Sequence, residues 1–252
     1  MMLSKIIWNA DPVLLKLGSL VLTWYATAYI VSFIAHYYLM RYFFAKDGKS
    51  QDHAMRITET LFICGLLGSR LGQVFFYEWP YYSHHLTEIP QLWKGGMSSH
   101  GSALGVLAGI YYYARKNNWP LLYLTDRVAI SSLVGAGLIR IGNLFNSEIY
   151  GKPTEVPWAF RFERIDNEWR HPSQLYDVII SGSLCIFLMW LYRREKNQPD
   201  GKITGLFFVL GFGVRVLVES YKADAELTRW LSLPFIMMGV YLLGRPARSF
   251  LK

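Results

Sequence analysis

Val128-Ala-Ile-Ser-Ser-Leu-Val-Gly-Ala-Gly-Leu-Ile-Arg-Ile-Gly-Asn-Leu-Phe145 carries one charged side chain, Arg140, in a run otherwise made of apolar, small and uncharged polar residues. A hydrocarbon layer about 30 Å thick is crossed by roughly 20 helical residues, and this run has that scale. A surface helix of a soluble bundle would repeat polar residues every 3.6 positions along one face, and this stretch does not. It reads as a membrane span. Working outward, comparable stretches bounded by charge or proline lie at Leu20–Met40, Ile57–Tyr77, Met97–Ala114, Ser173–Tyr192, Ile203–Ser220 and Trp230–Leu243. The predicted fold is all-α: a polytopic integral membrane helical bundle of about seven transmembrane helices. It forms one domain over residues 1–252, with 147–172 inserted as a periplasmic loop or head. Residues ahead of the first run read as a short amphipathic lead that can lie in the interface. They lack the pattern of a secretory signal, because no small-residue cleavage site follows an apolar core.

Composition agrees. Of 252 residues, 52% are hydrophobic and 17% charged, where soluble chains average about a quarter charged. The mean hydropathy of only +0.19 then requires polar residues to be gathered in loops. The net charge of +8 would point to nucleic acid in a soluble protein. Here the cations flank apolar runs, so anionic membrane lipids are the expected partners and nucleic acid is not. Arg41, Lys46, Lys49 and Arg56 follow the first span, Arg115, Lys116 and Arg127 the third, Arg193, Arg194, Lys196 and Lys202 the fifth; Arg245, Arg248 and Lys252 end the chain. The positive-inside rule places these segments in the cytoplasm of a multi-pass inner-membrane protein, with the N-terminus periplasmic and the C-terminus cytoplasmic. Two long loops, Glu78–Gly96 and Ser147–Pro172, then face outward. Trp79, Tyr81, Tyr82 and Trp93 suit either an interfacial belt or a docking lid. The alternation in Trp158–Trp169 predicts a hairpin turning at Ile165-Asp166-Asn167.

Cys64 and Cys185 sit inside apolar runs and read as packing residues, with no metal or redox spacing and no cofactor implied. Gly68 with Gly72, and Gly101, Gly105 and Gly109, recur at four-residue spacing that permits close helix approach in lipid.

Ionisable residues inside spans mark candidate sites, since inserting each costs a few kcal/mol. Gly95-Gly-Met-Ser-Ser-His-Gly101 places His100 about one turn into a helix, behind two glycines. Its imidazole suits either a thiol proton acceptor or a satisfied packing role. Arg140, Asn143 and Asn146 recur every three residues, with Glu148 beyond; they form either a fork of donors for a phosphodiester or a snorkelling Arg with capping Asn residues. Arg215 and Glu219 lie one turn apart, either as an internal ion pair or as a second phosphate cation held by its carboxylate, with Lys222 a flank. Weaker signals are Trp24-Tyr25, Arg70, and Arg170-His-Pro-Ser-Gln-Leu-Tyr176, where Pro172 suits a helix start.

Taken in order, Asp11-Pro12, Trp24-Tyr25, Gly95–Gly101, Arg140-Ile-Gly-Asn-Leu-Phe-Asn-Ser-Glu-Ile-Tyr-Gly151 and Arg170–Tyr176 make a chain that resembles the prolipoprotein diacylglyceryl transferase family over nearly its whole length. The resemblance implies a bacterial membrane enzyme that moves the diacylglyceryl group of phosphatidylglycerol to the lipobox cysteine of a prolipoprotein, with glycerol-1-phosphate leaving. It implies catalytic roles for Tyr25, His100, Arg140 and Arg215. It implies substrate binding by Arg140, Asn143, Asn146, Glu148 and Gly151; the residue reading adds Glu219. Both arginines would hold the lipid phosphate. Four departures stand out: Ser147 where the family usually has Gly, Ser99 and Ser102 beside the His, Gly211 where a Tyr often stands, and Lys222 in place of an Arg. The chemistry of the residues is compatible, because two guanidinium groups in a dry site would stabilise charge growing on a leaving phosphate. A rival reading from another class is a transporter or scaffold for anionic lipids, which needs the arginines but no proton acceptor.

Overall fold

The computed structural model describes residues 5–18, 20–92, 95–195, 199–222 and 226–245. Trp93, Lys94, Lys196, Arg248 and Lys252 lie outside them. In chain order the elements begin with strands β1 (Ile6–Trp8), β2 (Val13–Leu17) and β3 (Leu20–Thr23). There follow α1 (Trp24–Lys46), α2 (Asp52–Gly72) running into a π-helical turn at Gln73–Tyr77, short α3 (Trp79–Tyr82), α4 (Ser99–Lys116) and α5 (Leu121–Phe145). The rest comprises β4 (Phe160–Phe162), β5 (Trp169–Arg170), α6 (Ser173–Arg194), α7 (Lys202–Leu206), a π-helical segment at Phe207–Phe212, α8 (Gly213–Glu219) and α9 (Glu226–Leu243).

The chain is a predominantly helical membrane protein. Helix is found in every stretch read as a span, and Asp52–Tyr77, Leu121–Phe145 and Ser173–Arg194 are long and apolar enough to cross a bilayer. One expectation is corrected. The fold is not wholly α, because the N-terminal lead is extended and pairs as strands. Ile6–Trp8 pairs in parallel with Phe160–Phe162, and Val13–Leu17 pairs with Leu20–Thr23 in antiparallel fashion. β-branched and aliphatic residues flanking Gly18, at φ +59°, favour extended chain around a turn. The first helix therefore starts at Trp24 rather than Leu20, where the Thr23 hydroxyl accepts from the Ala26 amide at 3.1 Å, an N-cap contact. The expected hairpin is present, with Phe160 opposite Arg170 and Arg161 opposite Trp169.

Two compact units divide the chain: residues 1–36 with 126–252, and residues 37–125. In the second, α2 and α4 pack backbone to backbone. A methyl group on Gly68 would lie 2.8 Å from the Gly105 Cα, and one on Gly72 2.6 Å from the Gly101 Cα. The four-residue glycine spacing thus serves close helix approach. In the first unit, Leu144, Phe160 and Phe162 form a small core with Trp8, Tyr150 and Leu175 against it. Trp24 stacks on Phe145 at 4.5 Å, and the Trp8 indole donates to the Leu144 carbonyl at 2.9 Å. The extended N-terminal segment thereby braces the end of α5, where the polar motif begins.

Candidate active site

α5 ends in a Schellman turn. The Glu148 amide donates to the Asn143 carbonyl at 2.9 Å and the Ser147 amide to Leu144 at 3.1 Å, with Ser147 at φ +56°. That pattern calls for a left-handed residue, usually glycine, just past the helix end. Ser147 occupies it, and its buried hydroxyl has no hydrogen-bond partner among the described residues. The turn folds Glu148 back onto the last helical turn. Its carboxylate accepts from Asn143 at 3.1 Å and from Asn146 at 3.3 Å, and Arg140 donates to Asn143 at 3.3 Å. Arg140, Asn143, Asn146 and Glu148 therefore form one connected network. Helix-capping alone does not describe it, because Asn143 and Asn146 spend their amide N–H groups on the carboxylate.

The segment after this turn is knitted to two other elements. Ser173 and Gln174 at the start of α6 donate to the Ile149 and Glu148 carbonyls at 2.6 and 2.7 Å. They thus face a neighbour, not open space. The Gly151 amide donates to the His171 carbonyl and the Lys152 amide to Tyr221, both at 2.9 Å. Gly151 has no room for a side chain: a methyl there would meet His171 Cβ at 2.5 Å and the Tyr221 carbonyl at 2.8 Å. Its part in the site is to let three strands of backbone meet. Tyr25, near the start of α1, packs its Cα against Gly142 in α5.

Arg140 and Arg215 line the same cavity, of about 160 Å³, between α5, α6 and the π-helical segment leading into α8. Its wall is apolar at Leu133, Leu184, Phe207 and Phe212, and its ionisable lining is Arg140, Asp177, Arg215 and Lys222, three cations to one carboxylate. Gly211 lines it too, so no tyrosine hydroxyl is offered at that position. Asp177 Oδ2 lies 2.9 Å from Arg140 Nε and 3.0 Å from Lys222 Nζ, at angles that make the contacts electrostatic rather than hydrogen bonds. Lys222 also reaches Glu219 at 3.3 Å. Arg215 has no hydrogen bond or ion pair among the described residues. Two readings of the sequence are corrected here. Glu219 pairs with Lys222, not with Arg215, because the chain leaves helix after α8 and brings Lys222 back over the carboxylate. Lys222 is accordingly a buried cation of the site, not a flank. Asp177 was overlooked, although it interrupts an apolar run in the same way as Arg140.

The second unit holds His100, in the first turn of α4. Ser98 caps that helix, accepting from the Gly101 amide at 3.1 Å. The His100 Nδ1 meets the Tyr77 hydroxyl at 2.8 Å, and Tyr77 ends a π-helical turn, a deviation often found at functional positions. Arg70 is buried and donates only to backbone: to Glu88 and Ile89 at 2.8 Å and Gly95 at 2.7 Å. It fastens the long loop through all three of its nitrogens.

The family model described as prolipoprotein diacylglyceryl transferase matches residues 12–245. The chain belongs to the prolipoprotein diacylglyceryl transferase family. Among its relatives, the phosphatidylglycerol–prolipoprotein diacylglyceryl transferase of Chloroherpeton thalassium is 38% identical over 98% of this chain and 96% of its own length. That of Tolumonas auensis is 34% identical over 96% and 98%, and that of Nitrosomonas europaea 38% over 95% and 93%. For a diacylglyceryl transferase, a cavity that is both apolar and cationic is suited to a lipid phosphate.

Proposed function

We propose that this chain transfers the diacylglyceryl group of phosphatidylglycerol to the thiol of a prolipoprotein lipobox cysteine, the first step of lipoprotein maturation. One observation carries the reading: Arg140 and Arg215, far apart in sequence, line one cavity, and Arg215 makes no hydrogen bond or ion pair there among the described residues. The cysteine sulfur attacks the glyceryl carbon bonded to the phosphate oxygen. A carbon–sulfur bond forms, that carbon–oxygen bond breaks, and glycerol-1-phosphate departs with the electron pair. The cysteine proton passes to His100, or to a group His100 orients. Arg140 and Arg215 stabilise the charge that grows on the phosphate, an effect strengthened where water is excluded. Asn143, Asn146 and Glu148 hold Arg140 in place, Asp177 and Lys222 set the charge beside it, and Tyr25 stands at the packed end of α1. Holding lipid and peptide together supplies much of the rate.

The same reading assigns seven membrane spans in a single transmembrane domain of the inner membrane, an outward N-terminus, an inward C-terminus, and residues 147–172 outside the bilayer. What supports it is helix in each stretch, cations clustered after alternate stretches and a polar hairpin after α5. The protein in micelles, given phosphatidylglycerol and a lipobox peptide, should release glycerol phosphate and yield a thioether-linked adduct. Release without adduct would sink the transfer reading. His100→Ala should abolish turnover while phosphatidylglycerol still binds; retained turnover would remove the proton-acceptor role.

A further inference from the structure

A second cavity, of about 250 Å³, lies between α2 and the end of α4, within the unit of residues 37–125. Its polar lining includes Arg56, Glu59, Thr60, Tyr112, Lys116 and Asn117. Arg56, Glu59, Thr60 and Ile63 share one face of α2, at the i, i+3, i+4 and i+7 spacing. None of Arg56, Glu59 and Lys116 forms an ion pair among the described residues, although they border one space; the Lys116 ammonium lies over the Tyr112 ring at 5.5 Å. Charges that face a common space without meeting suit a ligand carrying both signs. Two acceptors stand ready beside Glu59. The Asn117 amide group donates to the Tyr113 carbonyl at 2.8 Å, leaving its side-chain oxygen to accept. The Thr60 hydroxyl donates to the Arg56 carbonyl at 2.7 Å, leaving its lone pairs likewise. Farther along the same face of α2, Ile63 and Leu67 are 53% and 52% exposed, in a helix apolar enough to cross a bilayer. Polar head space therefore continues into apolar surface, which a free phosphate would not use and a lipid chain would.

We propose that this cavity binds a phospholipid headgroup that carries both a phosphate and a primary ammonium. The phosphate meets Arg56 and Lys116; the ammonium meets Glu59, Asn117 and Thr60. Its place among the basic loops matches the general preference for headgroup pockets at the ends of spanning helices. This site is separate from the proposed reaction cavity, and its failure would leave the transferase reading standing.

The test is native mass spectrometry of the full chain in detergent, titrated with phosphatidylethanolamine and separately with phosphatidylglycerol. Arg56→Ala with Lys116→Ala should weaken phosphatidylethanolamine binding about tenfold, as expected for lost charge-assisted contacts. Glu59→Gln should weaken phosphatidylethanolamine and not phosphatidylglycerol. Equal affinities in all variants would overturn the site, and equal loss of both lipids on Glu59→Gln would overturn its recognition of the ammonium. A measurement on the unaltered chain guards against misfolded variants. A photo-reactive phosphatidylethanolamine should label peptides containing 56–67 or 112–117; labelling elsewhere only would overturn the proposal.

Discussion

Ser147 holds a backbone conformation that costs a side-chain-bearing residue about 1 kcal/mol, at φ +56°, with its hydroxyl buried and without a hydrogen-bond partner among the described residues. Glycine at this position would avoid both penalties. Ser147→Gly should raise the thermal midpoint in detergent, by the equivalent of about 1 kcal/mol, without loss of turnover; a lower midpoint would contradict the strain argument. Asp177 lies between the Arg140 and Lys222 cations. Asp177→Asn leaves two adjacent cations with no shared counter-ion, a change worth about 3 kcal/mol in buried settings. Its unfolding midpoint should fall, and adding Lys222→Met should recover most of the loss. If the double variant is no more stable than Asp177→Asn, the carboxylate is not there to balance those charges.

At the scale of elements, the β4–β5 hairpin is closed by a charged turn. Arg170 donates to both Asp166 oxygens and to Glu168 at 3.1 Å, while its guanidinium lies 5.1 Å from the Tyr150 ring. The Arg170 hydrogen bond holds the Asp166 carboxyl below the ordinary value of 3.8. A carboxylate with a depressed pKa stabilises the fold above its unfolded value, and that contribution is lost as pH falls through the lower folded one. Asp166→Asn should therefore unfold below the wild type at neutral pH, with the difference closing at pH below 3.8. The turn is largely open to water, so the effect should be small and should shrink in salt. A difference that does not change with pH would rule out ionisation as its source. The two π-helical segments are the other deviations at this scale. Gln73–Tyr77 presents the hydroxyl that meets His100, and Phe207–Phe212 forms part of the cavity wall ahead of Arg215; regular α-helix would have rotated both sets of side chains.

For the molecule as a whole, the decisive arrangement is the approach of chain segments seventy-odd residues apart, α5 and α8, to one cavity. If Arg140 and Arg215 hold the same phosphate, their effects on lipid binding must be coupled. Each change to Ala should weaken phosphatidylglycerol binding, and the double change should cost less than the product of the single losses; independent effects would mean two separate headgroups. Much of this was legible beforehand. Apolar runs of bilayer length and clustered loop cations announced the membrane fold, because each depends on local composition and the solvent it must meet. The alternation around Ile165 announced the hairpin, and the polar motif announced the residues of the Arg140, Asn143, Asn146 and Glu148 network. The strands at Ile6–Trp8 and Val13–Leu17 were not legible, since short extended segments gain stability from partners distant in sequence, here Phe160–Phe162 for the first. Asp177 and Lys222 were misjudged for the same reason: a charge reads as a flank or passes unnoticed until the chain folds its counter-ion beside it. The sequence by itself determined which residues must leave water and which charges would be costly there. Only the tertiary structure decided which of those charges neutralise one another and which, like Arg215, is left facing the cavity, because Coulomb pairing depends on distances that connectivity does not set.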